Sequence, residues 1–119
     1  MSDYDVIVVG AGNAAFCSAF AAAIDQGAKV AVLERAPEDD FGGNSRYTAG
    51  AIRFAHNGLQ DLKTVMDLNP EEIENTDFGV YTADDFYDDM YRVTNYRCDA
   101  DLVEVLVTQS LPTLQWMRE

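Results

Sequence analysis

The sequence predicts an α/β fold in which a parallel βαβ unit is followed by a largely helical segment. The first observation is the apolar, β-branched run Val6-Ile7-Val8-Val9, which is typical of a strand buried on both faces. The second is that residues 13–26 are rich in alanine and contain neither glycine nor proline, which favours a helix. The third is another apolar run, residues 29–33, which follows Gly27 at a position typical of a helix C-terminal cap.

The turn between the first strand and the helix matches a dinucleotide-binding fingerprint. Gly10 permits a tight turn, and Gly12, which has no Cβ, lets a pyrophosphate approach the backbone at the start of the helix. Ala15 fills the third position of the G-x-G-x-x-G/A pattern and is small enough for close packing of the helix on the strand. The alternative is a glycine turn that only connects a strand to a helix.

Glu34 ends the second predicted strand. It follows the fingerprint by about 20 residues, the separation at which an acidic side chain can hydrogen-bond a ribose hydroxyl. A carboxylate there disfavours a 2′-phosphate, so NADP is not an expected ligand.

A second glycine segment follows a polar loop, residues 35–41, in which Pro37 blocks helix formation. In Gly42-Gly43-Asn44-Ser45 the adjacent glycines permit positive φ, and the next two residues offer polar side chains and backbone N–H groups. Such a segment can wrap phosphate oxygens or the edge of a ring system. The alternative is a flexible surface loop.

The later part of the chain shows helical signals. Leu59, Leu62, Val65 and Met66 fall at helical spacing, and residues 69–70 (Asn-Pro) indicate a turn or a helix start. Thr82 with Asp85 resembles a capping box, and Asp99 is a good N-cap for a further helix. The predicted apolar faces consist of Phe86, Met90, Val93 and Arg97 in one helix, and of Leu102, Val103, Leu106, Val107 and Ser110 in the next. Pro112 is expected to kink or restart the last helix, with Ser110 as its new cap.

Length and charge limit the possible functions. The chain has 119 residues and a formal net charge of −13. This length suits one small domain but not a complete dinucleotide-binding fold with a catalytic domain, so we expect the N-terminal portion of a longer protein. The negative charge argues against nucleic acid and anionic membrane surfaces as partners, because polyanions are repelled. A salt-adapted source is an alternative explanation of the charge.

Cysteine and aspartate patterns give no metal site. Cys17 and Cys98 form neither a zinc spacing nor a disulfide framework, which fits a reducing cytoplasm. The first residues lack a basic region, and the apolar run after them is broken by glycines, so neither a signal peptide nor a transmembrane helix is expected. The aspartate pairs at 84–85 and 88–89 lack the glycine and spacing of a calcium loop, which indicates a solvated helix face.

Three stretches, VIVVGAGNAA, VLERAP and GGNSRYTAGA, resemble the flavoprotein family of fumarate reductase and succinate dehydrogenase. The stretch ERAPEDDFGGNSRYTAGAIRFAHNGLQDL is most similar to the tricarballylate dehydrogenase branch of that family, and the similarity continues over essentially the whole chain. The resemblance implies a Rossmann-like FAD-binding domain that a capping domain interrupts. Residues 1–58 would be its N-terminal part, and residues 59–119 a helical continuation of the same domain.

The resemblance also implies which residues hold FAD. Those bordering the pyrophosphate are Gly10, Gly12, Asn13 and Ala14. Those at the adenosine end are Glu34, on the ribose, and Arg35, beside the adenine. Those along the pyrophosphate and ribityl chain are Gly43, Asn44 and Ser45, and those near the isoalloxazine ring are Thr48, Ala49 and Gly50. A loop histidine attaches FAD covalently in succinate dehydrogenases. Asn44 stands near that position, so noncovalent FAD is expected.

The implied activity is the oxidation of tricarballylate to cis-aconitate. Hydride would pass to flavin N5 while a base removes the neighbouring proton, and a partner redox protein would accept the electrons. The alternatives are a fumarate or enoate reductase, a ketosteroid dehydrogenase, an inactive FAD-binding fragment, or a stand-alone nucleotide-binding module.

No catalytic residue is assigned within this chain. The only histidine, His56, is a candidate acid–base group or a hydrogen-bonded turn residue. Arg46 and Arg53 are candidate partners of substrate carboxylates or solvated surface residues.

Overall fold

A computed structural model describes residues 3–119, and the chain divides into two compact units, Met1–Ile52 and Arg53–Glu119. In the first unit, strand β1 (Val6–Val9) leads into helix α1 (Asn13–Phe20), and a π-helical stretch (Ala21–Asp25) continues α1 before strand β2 (Val30–Leu33). Two short 3₁₀ turns follow at Glu38–Asp40 and Gly43–Tyr47. The predicted strand–helix–strand order is therefore confirmed.

The two strands form a parallel sheet. Val6 pairs with Val30 and Val9 with Leu33, and helix α1 packs against both strands. The prediction that β1 is buried on both faces is wrong, because Ile7 is 61% and Val9 84% exposed. The sheet has two strands in the part of the chain that the structure describes, so the apolar side chains that point away from α1 have no covering layer there.

The helix after the fingerprint changes its hydrogen-bonding pattern part-way. The sequence predicts a helix over residues 13–26, and helical backbone does extend to Asp25. The α-helical pattern nevertheless ends at Phe20, and the remaining residues are π-helical. Gly27 then adopts φ +66°, the left-handed conformation expected of a residue just past a helix C-terminus.

The second unit contains four helices within its described residues: α2 (Leu59–Val65), α3 (Pro70–Asn75), α4 (Ala83–Val93) and α5 (Ala100–Arg118). Its core consists of Phe86, Val103 and Val107, and half-buried residues of neighbouring segments, including Tyr81 and Cys98, pack against them. This unit therefore contributes the helical segment that the sequence predicts.

Capping residues start three of these helices. The Asn69 side chain accepts from the Glu72 N–H, while the Glu72 carboxylate accepts from the Asn69 N–H at 2.8 Å. Thr82 and Asp85 form the same reciprocal pair at the start of α4. At the start of α5, the Asp99 carboxylate accepts from two backbone N–H groups. The predicted caps at Thr82 and Asp99 are confirmed, and residues 69–70 start a helix.

Helix α5 does not restart at Pro112, and Ser110 does not act as the cap that the sequence predicts. The helix runs unbroken from Ala100 to Arg118 with Pro112 inside. The Ser110 hydroxyl instead donates to the Val107 carbonyl at 2.9 Å and accepts from the Ala55 N–H at 3.0 Å. The hydroxyl is thus used within the helix and by a neighbouring segment rather than as an N-cap.

The predicted apolar faces of α4 and α5 are only partly buried. Val103 and Val107 lie in the core, but Leu102 is 69%, Leu106 43% and Val93 62% exposed. No helix among residues 3–119 combines the length and apolar character needed to cross a membrane.

Candidate functional site

The glycine turn after β1 is shaped by two different backbone conformations. Gly10 has φ +106°, a conformation that side chains rarely allow, and its N–H donates to the Leu33 carbonyl at 2.6 Å. Gly12 has ordinary extended angles, φ −85° and ψ −179°. A Cβ at Gly12 would lie 3.4 Å from the Gly42 carbonyl oxygen and 3.6 Å from Ser45 Oγ, at the edge of ordinary contact. The backbone therefore requires glycine at position 10 but not at position 12.

Helix α1 presents its N-terminal amides at this turn. Its N-cap residue is Gly12, which has no side chain to accept from the first-turn N–H groups. The N–H of Asn13 donates instead to Ser45 Oγ at 2.9 Å, across 32 residues of sequence. The positive end of the helix and its amides can also bind an anion.

Glu34, at the end of β2, ties that strand to the glycine turn. One carboxylate oxygen accepts from the Ala11 N–H at 2.9 Å, and the other accepts from Arg35 at 2.6 Å and from Ala36 at 2.8 Å. Donation from the backbone of Ala36, and next from Ala11, holds the pKa of this carboxyl below its ordinary value of 4.5. The exposed carboxylate is thus ionised and fixed in direction beside the turn.

The second glycine segment continues into a short turn and two left-handed residues. Gly42 and Gly43 have φ +103° and +55°, as predicted for this pair. Ala49 and Gly50 also have positive φ, and the Thr48 hydroxyl donates to the Ser45 carbonyl at 3.0 Å. Residues 43–50 are all exposed, and within them the N–H groups of Thr48 and Gly50 make local hydrogen bonds to Ser45 and Thr48.

All residues that the sequence assigns to the cofactor lie in the first unit. Some of them are linked to each other by hydrogen bonds between distant segments, and others make only local hydrogen bonds. Hydrogen bonding brings Asn13 to Ser45, and it brings Glu34 to the turn beside Gly10. Thr48, Ala49 and Gly50 follow the 43–47 turn, and their described hydrogen bonds stay within residues 45–51. Asn13, Ala14, Arg35 and Asn44 are exposed. Their individual roles toward a cofactor stay predictions.

Sequence reasoning missed one residue of this site, the buried Ala11, whose N–H holds Glu34. The fingerprint leaves this position unspecified, since any residue can supply a backbone amide. The one relevant signal in the sequence is the spacing between the glycine turn and Glu34, which directly follows β2.

The other candidate groups lie in the second unit or on the surface. His56 Nδ1 accepts from the Gly58 N–H at 3.2 Å, and its backbone pairs with Tyr81, which agrees with the turn interpretation. Arg53 forms an ion pair with Asp89 and donates to the Tyr81 hydroxyl at 2.9 Å. Arg46 is exposed.

The aspartates of α4 have structural partners. Asp85 caps the helix at Thr82, and Asp89 pairs with Arg53 and Arg92. Throughout residues 3–119, no group of three or more histidine, cysteine or acidic side chains is arranged to hold a metal ion.

Comparison with known proteins identifies the cofactor of this domain. Residues 5–119 match the family described as FAD binding domain. The chain belongs to this family. FAD is therefore the cofactor of the domain, and its fold is an FAD-binding domain with helices and a small parallel sheet.

Two curated relatives match this FAD binding domain. Both are described as fumarate reductase (cytochrome), from Shewanella frigidimarina and from its strain NCIMB 400, and each is 35% identical over 113 residues. The match covers 95% of the chain but only 17% and 16% of the relatives, so the chain spans about a sixth of their length. No solved structure matches the chain significantly.

The donor set of the first unit fits the diphosphate and ribose of FAD. Gly12 leaves open the space that a Cβ would fill between the turn and residues 42–45. The first-turn amides of α1 can donate to phosphate oxygens, and the fixed carboxylate of Glu34 can accept from ribose hydroxyls.

Proposed function

We propose that the complete protein is an FAD-dependent oxidoreductase that acts on a small polycarboxylate. The observation that carries this proposal is the match of residues 5–119 to the FAD binding domain family, together with relatives described as fumarate reductase. The strand–turn–helix–strand unit would be the start of a Rossmann-like domain. The electrons would pass to or from a partner redox protein, and the cysteine pattern supports a cytoplasmic location.

The chain's own residues would bind and orient FAD, which supplies two-electron redox chemistry when bound. The α1 amide at Ala14 would donate to the pyrophosphate, and Asn13, whose own N–H is held by Ser45, would border it. Glu34 would accept from the adenosine ribose, with Arg35 beside the adenine. The exposed residues 43–50 would line the rest of the cofactor. Binding would be noncovalent, since Asn44 carries no nucleophilic nitrogen comparable to that of a histidine.

Two reactions are candidates for the complete protein. The resemblance of residues 34–62 to tricarballylate dehydrogenases supports oxidation of tricarballylate to cis-aconitate. The names of the two curated relatives favour a second candidate, the reduction of fumarate. Both substrates are small polycarboxylates, so the two candidates share the substrate class and differ in substrate and direction.

The test is made on the complete purified protein. Its visible spectrum is recorded before and after acid precipitation. A flavin band that moves to the supernatant supports noncovalent FAD, while colour in the pellet contradicts it. Turnover is then measured with tricarballylate and an oxidising dye, and with fumarate and a reduced dye. Turnover in one assay selects that reaction. A flavin-loaded protein inactive in both contradicts the proposed substrate class.

A further inference from the structure

The N-cap residue of helix α1 has no side chain that could cap the helix, and the side chain of a distant residue takes over this role. Gly12 occupies the N-cap position with extended backbone but offers no acceptor. Ser45 lies 32 residues later and accepts from the N–H of Asn13 at 2.9 Å. An ordinary N-cap serine accepts from the second or third amide of its helix, whereas Ser45 accepts from the first; in both cases a side-chain oxygen satisfies one of the first-turn N–H groups that have no partner within the helix.

A second contact brings the same two segments together. The Gly42 carbonyl oxygen lies 3.4 Å from the position that a Cβ would take at Gly12. Gly42 can approach so closely because it has a left-handed conformation, φ +103°, which directs the chain into the 43–47 turn. The turn is thus positioned against the start of α1 by the protein's own contacts.

We propose that Ser45 is a positioning residue that caps α1 from a distance and thereby assembles the pyrophosphate site before FAD binds. This inference rests on the proposed function only in naming FAD as the ligand. The ordering of residues 43–47 and of the first turn of α1 is then coupled. Less conformational entropy is lost on binding because both segments are already held in place.

The chemistry of the hydroxyl explains why serine suits this position. Ser45 accepts one hydrogen bond from Asn13, and among the described residues its own hydrogen has no acceptor. It can therefore cap the helix and still donate to a phosphate oxygen. An aspartate would cap the helix equally well, but its charge would repel the diphosphate. Capping and ligand binding can thus be separated by substitution.

The test compares four variants of the complete protein: Ser45→Ala, Ser45→Thr, Ser45→Asp and the control Ser18→Ala. Ser18 is an exposed serine of the same helix whose hydroxyl donates to the Ala14 carbonyl, so its loss removes a hydroxyl without removing the cap. Hydrogen exchange of peptides from the start of α1 and from residues 43–47 is measured after flavin removal. FAD affinity is measured separately by fluorescence quenching.

We expect Ser45→Ala to speed exchange in both peptides by about fivefold, the usual effect of a lost N-cap, and to weaken FAD binding. Ser45→Thr keeps the hydroxyl, so exchange and FAD affinity should both stay at their wild-type values. Ser18→Ala should change neither exchange nor FAD affinity. Ser45→Asp should keep the slow exchange but lose FAD.

Two outcomes overturn the proposal. In the first, Ser45→Ala weakens FAD binding but leaves exchange unchanged, so Ser45 acts only by touching the cofactor. In the second, exchange rises in one peptide alone, so the segments are not coupled. If the wild-type protein binds no FAD, the proposed function fails, while the exchange data still decide whether Ser45 is the cap.

Discussion

Replacing Gly12 with alanine tests whether this glycine is needed by the fold or by the cofactor. Its backbone angles suit any residue, and the added Cβ would lie 3.4 Å from the Gly42 carbonyl oxygen, at the edge of ordinary contact. Gly12 is the N-cap of α1, where alanine is less favourable than glycine, so we expect the FAD-free protein to lose no more than about 1 kcal/mol of stability. The methyl group would, however, occupy the space through which a pyrophosphate approaches. We expect FAD affinity to fall at least about tenfold, which corresponds to about 1.4 kcal/mol.

Gly10→Ala is the matched control. A Cβ at Gly10 meets no atom within 4 Å, but the backbone is held at φ +106°. The cost is therefore backbone strain of about 1–3 kcal/mol, paid by the FAD-free protein.

Urea unfolding of the flavin-free variants gives the stabilities, and fluorescence titration gives the FAD affinities. The reasoning is refuted if Gly12→Ala destabilises the fold as much as Gly10→Ala does, or if it retains wild-type affinity for FAD. Gly12→Val, with a larger side chain in the same place, should abolish flavin retention.

Three further predictions concern the hydrogen-bond networks. Glu34→Ala should weaken FAD binding less than Gly12→Val does, because it removes hydrogen bonds without adding bulk; flavin content after gel filtration compares the two. Because the folded-state pKa of Glu34 is lowered, its contribution to stability is complete above pH 4.5 and is lost as the pH falls through the lowered value. Unfolding curves should show this acid loss in the wild type and a smaller one in Glu34→Gln; equal losses would contradict it. Tyr81→Phe removes the hydroxyl between Arg53 and Asp89 and should cost the second unit about 1 kcal/mol in urea unfolding, whereas no loss would mean that the ion pairs suffice.

Much of the fold could be predicted because its signals are local. The strand Val6–Val9 follows from an apolar, β-branched run, and the capping box at Thr82 follows from residue types three positions apart. The left-handed glycines at 27, 42 and 43 follow from the conformational freedom of glycine. Each of these features depends on neighbours within about one helical turn.

Burial and helix continuity could not be predicted in the same way. Val103 and Leu102 are adjacent apolar residues of α5, yet the first is 3% and the second 69% exposed. Which of them is buried depends on where α4 crosses the helix. Similarly, the role of Ser110 was decided by Ala55, a residue of a distant segment that uses its hydroxyl.

For the candidate site, the sequence by itself determined the chemistry: two glycines at the turn, an acid at the end of β2, and a polar glycine segment after it. The tertiary structure alone decided which atoms meet. It joins Ser45 to Asn13 across 32 residues and Glu34 to Ala11 across 23. The physical reason is that a backbone amide is present at every residue except proline, so sequence cannot show which amide a distant side chain will reach. Packing of the strands and turns selects the partner.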